Sequence, residues 1–320
     1  MTPASNDTVH IDLGIPELRE RGWTLTRIAA HYGVSERELG RWVQSGRLDP
    51  KNPVPREWAE TLPPRPLTLD YEQTLVVNDA QYPHHDPALW DTTCRIARDA
   101  EVDRIVWAGD MLDFEQLSSF TFDVYKTQRA QDDVEGFHRD LREPLLKSIG
   151  YKPEEIWLDG NHEHRYSRYV QKHSALGESN AQEFMGLGSM KTYIPYGTRI
   201  GYWLTPSLVV VHGWSTAKNS AQRHLMDMGA SVIHGHTHRL STFHMQTSRE
   251  HMVAYEAGHM SDPSQVPGFH GEGLPDWHQV AGTLVQTSRT GESFNVEVLE
   301  VVGRNHDRVF YNGRVYDIER

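Results

Sequence analysis

The sequence holds little that could cross-link it or keep it in a membrane. Its 320 residues include one cysteine, Cys94. No intrachain disulfide can form, and this usage fits a reducing compartment. No apolar run approaches the roughly 18–20 residues needed to span a bilayer. The opening MTPASNDTVHIDLG has neither the basic nor the apolar region of a signal peptide. A soluble, cytoplasmic protein without membrane contact is expected. A basic excess is also missing: 32 Lys and Arg face 44 Asp and Glu, for a net charge of −12. Residues 1–66 carry nine charges of each sign, so the whole acidic excess lies beyond them. Such a body does not attract nucleic acid in bulk, but it suits carboxylates gathered around cations. Internal repeats and low-complexity tracts are absent. With 38% hydrophobic residues and nine Trp, global disorder is excluded. The length suits one catalytic domain with a small appendage.

The order of patterns along the chain divides it. In WTLTRIAAHYG, Leu25, Ile28, Ala29 and Tyr32 share a helical face, and Gly33 suits a left-handed C-terminal position. Ser35-Glu36-Arg37-Glu38 then reads as a capping box that opens a second helix. Helix, Gly-containing turn, helix is the form of a helix-turn-helix, so residues 1–48 are expected to be a small all-α module. Residues 49–67, rich in proline, read as a stiff linker. From residue 68 to 320 strand and helix patterns alternate, which predicts an α/β body. Strands are expected at Thr74–Asn78, Arg104–Ala108 and Glu155–Leu158. Helices are expected over Pro87–Ala100, Ala130–Ile149 and Arg165–Phe184. Beyond Tyr193 short strands dominate: Leu208–Val211, Val232–His234, Met252–Glu256, Val280–Gln286 and Phe294–Val301. Tyr311-Asn312-Gly313-Arg314 reads as a hairpin turn.

Each strand of the body runs into the same chemistry. The first meets Asn78-Asp79-Ala80-Gln81, the second Gly109-Asp110-Met111-Leu112-Asp113, the third Asp159-Gly160-Asn161-His162-Glu163. Later come Val211-His212-Gly213 and His234-Gly235-His236-Thr237-His238. Ligands of open α/β sheets bind at the carboxyl ends of strands, so these turns are expected to converge. Asp79, Asp110, Asn161, His212, His236 and His238 form a mixed oxygen and nitrogen donor set. Two divalent cations about 3.5–4 Å apart could use it to clamp a phosphate. Imidazole with carboxylate suits Mn, Fe, Zn or Ni better than Ca or Mg.

The series Asp-x-Gln, Gly-Asp-x-x-Asp, Gly-Asn-His-Glu, His-Gly and Gly-His-x-His, spread over roughly residues 75–240, resembles the calcineurin-like metallophosphoesterase superfamily. The resemblance implies a two-sheet β-sandwich flanked by helices, with the metals at one edge. It implies that Asp110 bridges two ions, that Asp79, Gln81 and His238 complete one site, and that Asn161, His212 and His236 complete the other. His162 would act on the substrate without binding metal, Asp113 would hold its imidazole, and Arg165 would contact phosphate. Most relatives have Asp-x-His where this chain has Asp79-Ala80-Gln81, and a neutral amide is a weaker donor. Altered metal preference at that site is therefore expected. The pairing of such a body with a helix-turn-helix-like module resembles proteins encoded by bacteriophages, which would place it in the host cytoplasm.

The expected activity is a dinuclear-metal-dependent phosphodiesterase, with Mn favoured, acting on nucleotides or nucleic acid through a metal-bound hydroxide. Two alternatives stand beside it. One is a phosphomonoesterase on protein or small-molecule phosphates. The other is a DNA-binding protein with an inactive body, since Arg37, Arg41 and Gln44 within residues 16–46 could enter a DNA groove. His84 and His85 are expected to be structural or exposed. His173, His224, His244, His251, His259 and His270 are read as ordinary. The Gly- and Pro-rich stretch 257–279 is long enough for a lid or binding loop. Its Trp277 either stacks on a base or packs against its own domain.

Overall fold

The computed structural model describes residues 71–118, 129–173, 180–248, 250–265 and 276–320. The expected module at 1–48 and linker at 49–67 lie outside them. Short apolar runs such as Leu75-Val76-Val77, Ile105-Val106-Trp107 and Leu208–Val211 build two sheets, their central strands buried on both faces. Strands β1 (Tyr71–Val77), β2 (Arg104–Ala108), β3 (Glu154–Leu158) and β4 (Thr192–Ile194) run parallel in that order. Strands β5 (Tyr202–Thr205), β6 (Leu208–Val211), β7 (Ser231–His234), β8 (Leu240–Gln246) and β9 (His251–Ala257) form a five-stranded sheet ordered β5-β6-β7-β9-β8. The chain then returns to the first sheet. Strand β10 (Val280–Ser288) lies antiparallel beside β1, followed outward by β11 (Phe294–Val302), β12 (Arg308–Tyr311) and β13 (Arg314–Asp317). Asn312 and Gly313 turn the last hairpin with φ of 48° and 72°, the double left-handed turn that Asn-Gly favours.

Successive side chains of a strand point to opposite faces, and the core follows that rule. Val76, Val106, Ile156 and Leu158 of the first sheet pack with Leu208, Val210, Ile233 and Ala257 of the second, between the two. Their neighbours Leu75, Val77, Ile105, Trp107 and Trp157 point the other way. They meet helix α1 (Pro87–Asp99) through Leu89, Trp90 and Ile96. They also meet the helical stretch made of α2 (Ala130–Gly136), a π-helical turn (Phe137–Arg142) and α3 (Glu143–Ile149), through Phe137, Leu141 and Leu145. On the far side of the second sheet, Val209, Val211 and Val232 pack on Ala221 and Leu225. The described body is therefore a mixed α/β, two-sheet sandwich with helices on its outer faces, as expected.

Two helices differ from the sequence reading. The helix expected over Arg165–Phe184 is resolved as α4 (Glu163–Lys172) and a short α5 (Ala181–Phe184), with 174–179 outside the described residues. Asn180 starts α5 afresh by accepting the Gln182 N–H at 3.0 Å, a cap that separates the two. Helix α6 (Ser220–Met228) had no counterpart among the expected elements; its inward residues are Ser220, Ala221, His224 and Leu225. No helix among the described residues is long and apolar enough to cross a membrane.

Candidate metal centre

The polar turns after β1, β2 and β3 meet those after β6 and β7. Two glycines show how tightly. A Cβ on Gly160 would fall on the Asp110 carboxylate and backbone, and one on Gly235 would fall on the Asp79 carboxylate. The turns can approach only where the side chain is absent. Backbone strain gathers at the same place. Asp79 (52°), Gln81 (52°), Asp110 (51°), His236 (71°) and His238 (60°) all have positive φ. Left-handed backbone is uncommon outside glycine, above all for a bulky residue, and clusters at functional sites.

One group forms around Asp79, which is fully buried. His238 Nε2 lies 3.2 Å from its Oδ1. The Gln81 amide lies 3.3 Å from the same His238 nitrogen. The backbone N–H of His236 donates to Asp79 Oδ2 at 3.0 Å, and Asn78 Nδ2 donates to it at 2.7 Å. Burial raises the Asp79 carboxyl, but the His238 and His212 imidazoles outweigh it and hold the group below its ordinary range.

A second group forms around Asp110. His212 Nε2 lies 3.3 Å from Asp110 Oδ2 and 3.0 Å from Asn161 Oδ1. Donor atoms of Asp110, His212 and His236 all lie within 4.8 Å of one another. His212 Nδ1 faces the Ala108 carbonyl at 3.1 Å, which fixes the ring and leaves Nε2 for a ligand. Burial disfavours the charged imidazole, yet Asp110 and Asp79 push His212 up to about 10. Burial and then His212 bring His236 down to about 4.

A two-cation set fits these residues on two counts. The donors are the carboxylate, amide and imidazole types that such ions take. Moreover, Gln81 Oε1 and His236 Nδ1 are buried with no hydrogen-bond partner among the described residues. Buried polar atoms of this kind call for a partner, and a cation supplies one. A half-turn of the Gln81 amide would put its oxygen where Nε2 now lies, 3.3 Å from His238 Nε2.

His162 stands beside the second group. Its Nδ1 lies 2.7 Å from Asp113 Oδ1 and its Nε2 lies 3.6 Å from Asp110 Oδ2. Burial lowers the basicity of His162, but Asp110 and Asp113 prevail and raise it above the usual value. Arg165 is turned inward. It donates to the Asp113 carbonyl at 2.7 Å, and its other arm lies 3.1 Å from His162 Nε2. The guanidinium thus braces the Asp113–His162 pair, and a phosphate contact would use the arm facing His162.

Several residues of the centre escaped the sequence reading. Glu163, fully buried, accepts the N–H groups of Asp110 (2.9 Å), Leu112 (2.9 Å) and Gly160 (2.8 Å), tying two ligand turns together. Burial, with Asp110 and Asp159 adding, pushes its carboxyl up to about 7. Glu256 of β9 accepts from Ser220, from Thr237 at 2.5 Å and from Ser241 at 2.5 Å, so it holds the turn between His236 and His238. His259, read as ordinary, is buried and stacks on His238 with ring centroids 5.0 Å apart. Trp277 packs edge-on against His238 at 4.3 Å, so it packs against its own domain. His84 and His85 are buried; His84 Nε2 lies 3.8 Å from Asp113 Oδ2, and His85 stacks on Tyr82. The glutamate that ends Gly-Asn-His-Glu has no role of its own in the sequence reading, and a histidine 21 residues beyond His238 carries no local mark of one.

No protein-family model matches the chain. Among curated proteins it is similar to the Gene 54 protein of Mycobacterium phage L5, with 22% identity over 269 residues, covering 77% of this chain and 99% of that protein. It is also similar to the Gene 54 protein of Mycobacterium phage D29, with 26% identity over 184 residues, 52% of this chain and 69% of that protein. Among solved structures, Vps29 of Chaetomium thermophilum matches with a TM-score of 0.41 and 12% identity, over 78% of this chain and 96% of its own. A purple acid phosphatase from yellow lupin seeds matches with a TM-score of 0.32 and 11% identity, over 74% of this chain and 55% of its own.

Proposed function

We propose that the chain is a dinuclear-metal-dependent phosphoesterase that cleaves phosphodiesters. The observation that carries this reading is the placement of His162. It is held by Asp113 at 2.7 Å and faces the Asp110 carboxylate at 3.6 Å, yet a metal held only for structure would have no use for it. In this reading Asp79, Gln81 and His238 hold one ion, Asn161, His212 and His236 hold the other, and Asp110 is shared. Such ions supply Lewis acidity to the phosphoryl oxygens and lower the pKa of bound water. Asp113 fixes the His162 ring through Nδ1, so Nε2 is the atom that passes a proton to the leaving oxygen. Arg165 holds the Asp113 backbone and offers its second arm to the phosphate. Trp107, Trp157 and Phe114, which adjoin these turns in sequence, are fully buried. DNA contact through residues 16–46 belongs to the same proposal; a salt-sensitive gel shift that Arg41→Ala weakens would support it, and no shift by the wild type would remove it.

The test compares bis(p-nitrophenyl) phosphate with p-nitrophenyl phosphate, with Mn²⁺ added. Faster diester cleavage is expected, falling about 10²- to 10⁴-fold in His162→Ala with both ions still bound by elemental analysis. Preference for the monoester would move the reading to a phosphatase. Loss of metal in the variant would make His162 a ligand. Silence on both substrates with metal bound would sink the catalytic reading in favour of a binding role.

A further inference from the structure

Helix α4 leaves the metal centre and carries an unusual outer face. Its inward residues are Glu163 and Tyr166, the latter stacked on Phe184 with centroids 4.1 Å apart. Arg165, half-buried and turned toward the centre, is followed by the outer residues Arg168, Tyr169 and Lys172 at spacings of three, one and three, which is one stripe of a helix. With Asn161 and His173 they line a groove of about 300 Å³. Asn161 belongs to the groove and to the candidate metal ligands alike, so the groove opens from the centre itself.

Charge pairing sets this stripe apart. Elsewhere helical cations sit on acids: the half-buried Arg95 on Asp91 at 3.1 Å and the exposed Arg223 on Asp227 at 2.6 Å, both four residues apart. Arg168 and Lys172 are exposed and form no ion pair among the described residues. The only acid of the helix, Glu163, is buried and occupied by three backbone N–H groups. In a chain of net charge −12, the unpaired Arg168 and Lys172 beside a phosphoesterase centre make a local positive track. Tyr169, 40% exposed, adds an aromatic surface beside His173, whose ring centroid is 4.3 Å away.

We infer that the outer face of α4 holds a single-stranded nucleic acid whose scissile phosphate lies at the metal centre. This rests on the phosphodiesterase reading and names its substrate class. Cations along a groove with an interleaved aromatic residue are what such strands require: backbone phosphates take the charges and a base takes the ring. The helix rises about 1.5 Å per residue, so Lys172 lies roughly 10 Å beyond Arg165. That is the rise of about three stacked nucleotides at roughly 3.4 Å each. A mononucleotide or a small diester would reach the centre without touching Arg168 or Lys172.

The experiment uses the full chain and two readouts. Binding of a short fluorescein-labelled oligonucleotide is followed by anisotropy, with His162→Ala present so that the strand is not cut. Adding Arg168→Gln and Lys172→Gln together should raise Kd about ten-fold. Losing two phosphate contacts should also flatten the dependence of log K on log salt by about 1.4. Adding Tyr169→Ala instead should weaken binding by roughly ten-fold with the salt slope unchanged, the loss of one stacked base. On an intact His162 background, the Arg168→Gln, Lys172→Gln protein should cleave bis(p-nitrophenyl) phosphate at the wild-type rate. Unchanged oligonucleotide binding, or no binding by the chain with Arg168 and Lys172 intact, overturns the inference while leaving small-diester hydrolysis to judge the phosphodiesterase reading. An equal loss on the small diester overturns it too, because α4 would then serve the centre in general. Retention of an acidic phosphopeptide in place of the strand overturns it in favour of a phosphoprotein.

Discussion

His236 illustrates what the centre requires of single residues. Its φ of 71° is one that costs an L-residue about 1–2 kcal/mol, and Asp79, Gln81, Asp110 and His238 bear the same kind of strain. Strain at a functional position is retained for function rather than for stability. Replacing His236 by Gly should therefore give a metal-free protein about 1 kcal/mol more stable than replacing it by Ala, because only Gly relieves the backbone. Both variants should lose affinity at the second ion site, as neither offers a ligand. Urea unfolding of the two proteins in chelator, with metal titrations alongside, checks this. Equal stabilities would mean that the left-handed turn is not strained, and unchanged titrations would remove His236 from the ligand set. The donor residues themselves were legible in the sequence, since Asp, Asn and His after β-rich runs at short spacing are local signals. Their left-handed backbone was not, because it is imposed by the turns that crowd against them, at Gly160 and Gly235 above all.

At the scale of elements, the strand ends carry the donors and buried carboxylates position those ends. Glu256 on β9 joins α6, β8 and the His236–His238 turn through Ser220, Ser241, Thr237 and Arg239. Burial raises its carboxyl, but the Ser220, Ser241 and Thr237 hydroxyls prevail and hold it below the ordinary glutamate value. A depressed folded-state pKa contributes stability that is present above the unfolded value, about 4.3, and is lost as pH falls through the folded one. Glu256→Gln should thus destabilise the protein by about 1.5–3 kcal/mol at neutral pH, the range of hydrogen bonds to a charged group. The gap from wild type should close as pH falls below about 4. Denaturation midpoints of the two proteins across that range test it; a gap that stays constant with pH would show that the ionised form contributes nothing. The core strands β1, β2, β3, β6, β7 and β9 were readable as buried apolar runs. Edge strand β8, with exposed Ser241, Thr242, His244 and Gln246, has no such run, and α6 has a small apolar face of Ala221, Leu225 and the partly buried Met228. Where little apolar surface is buried, periodicity is a weak signal.

The molecule as a whole explains why the centre lies where it does. Asp79, Asp110 and Asn161 extend from β1, β2 and β3 of one sheet, while His212, His236 and His238 extend from β6 and β7 of the other. The sequence showed five polar turns but not this division, because the pairing of β10 with β1 and of β9 with β7 depends on contacts between distant segments. Ions bound between the two sets would tie the sheets together at one edge of the sandwich, where the apolar layer of Val76, Val106, Ile156 and Ile233 ends. Binding to the folded state alone then stabilises it by mass action, about 2.7 kcal/mol when the free ion is at 100 times its Kd. For a body of this size each kcal/mol moves the melting temperature by roughly 2–4 °C, so two such ions at saturating Mn²⁺, about 5.4 kcal/mol together, should raise Tm by about 11–22 °C over the chelated protein. His212→Ala and His238→Ala remove a donor from opposite groups, and each should lose part of that gain. A double variant should lose nearly all of it. Calorimetry with and without Mn²⁺ on the four proteins decides the matter: an unchanged Tm in the wild type would remove the metal centre. A gain lost entirely in His212→Ala but retained in His238→Ala would leave a single ion, at Asp110, and make the Asp79, Gln81 and His238 group a purely structural one.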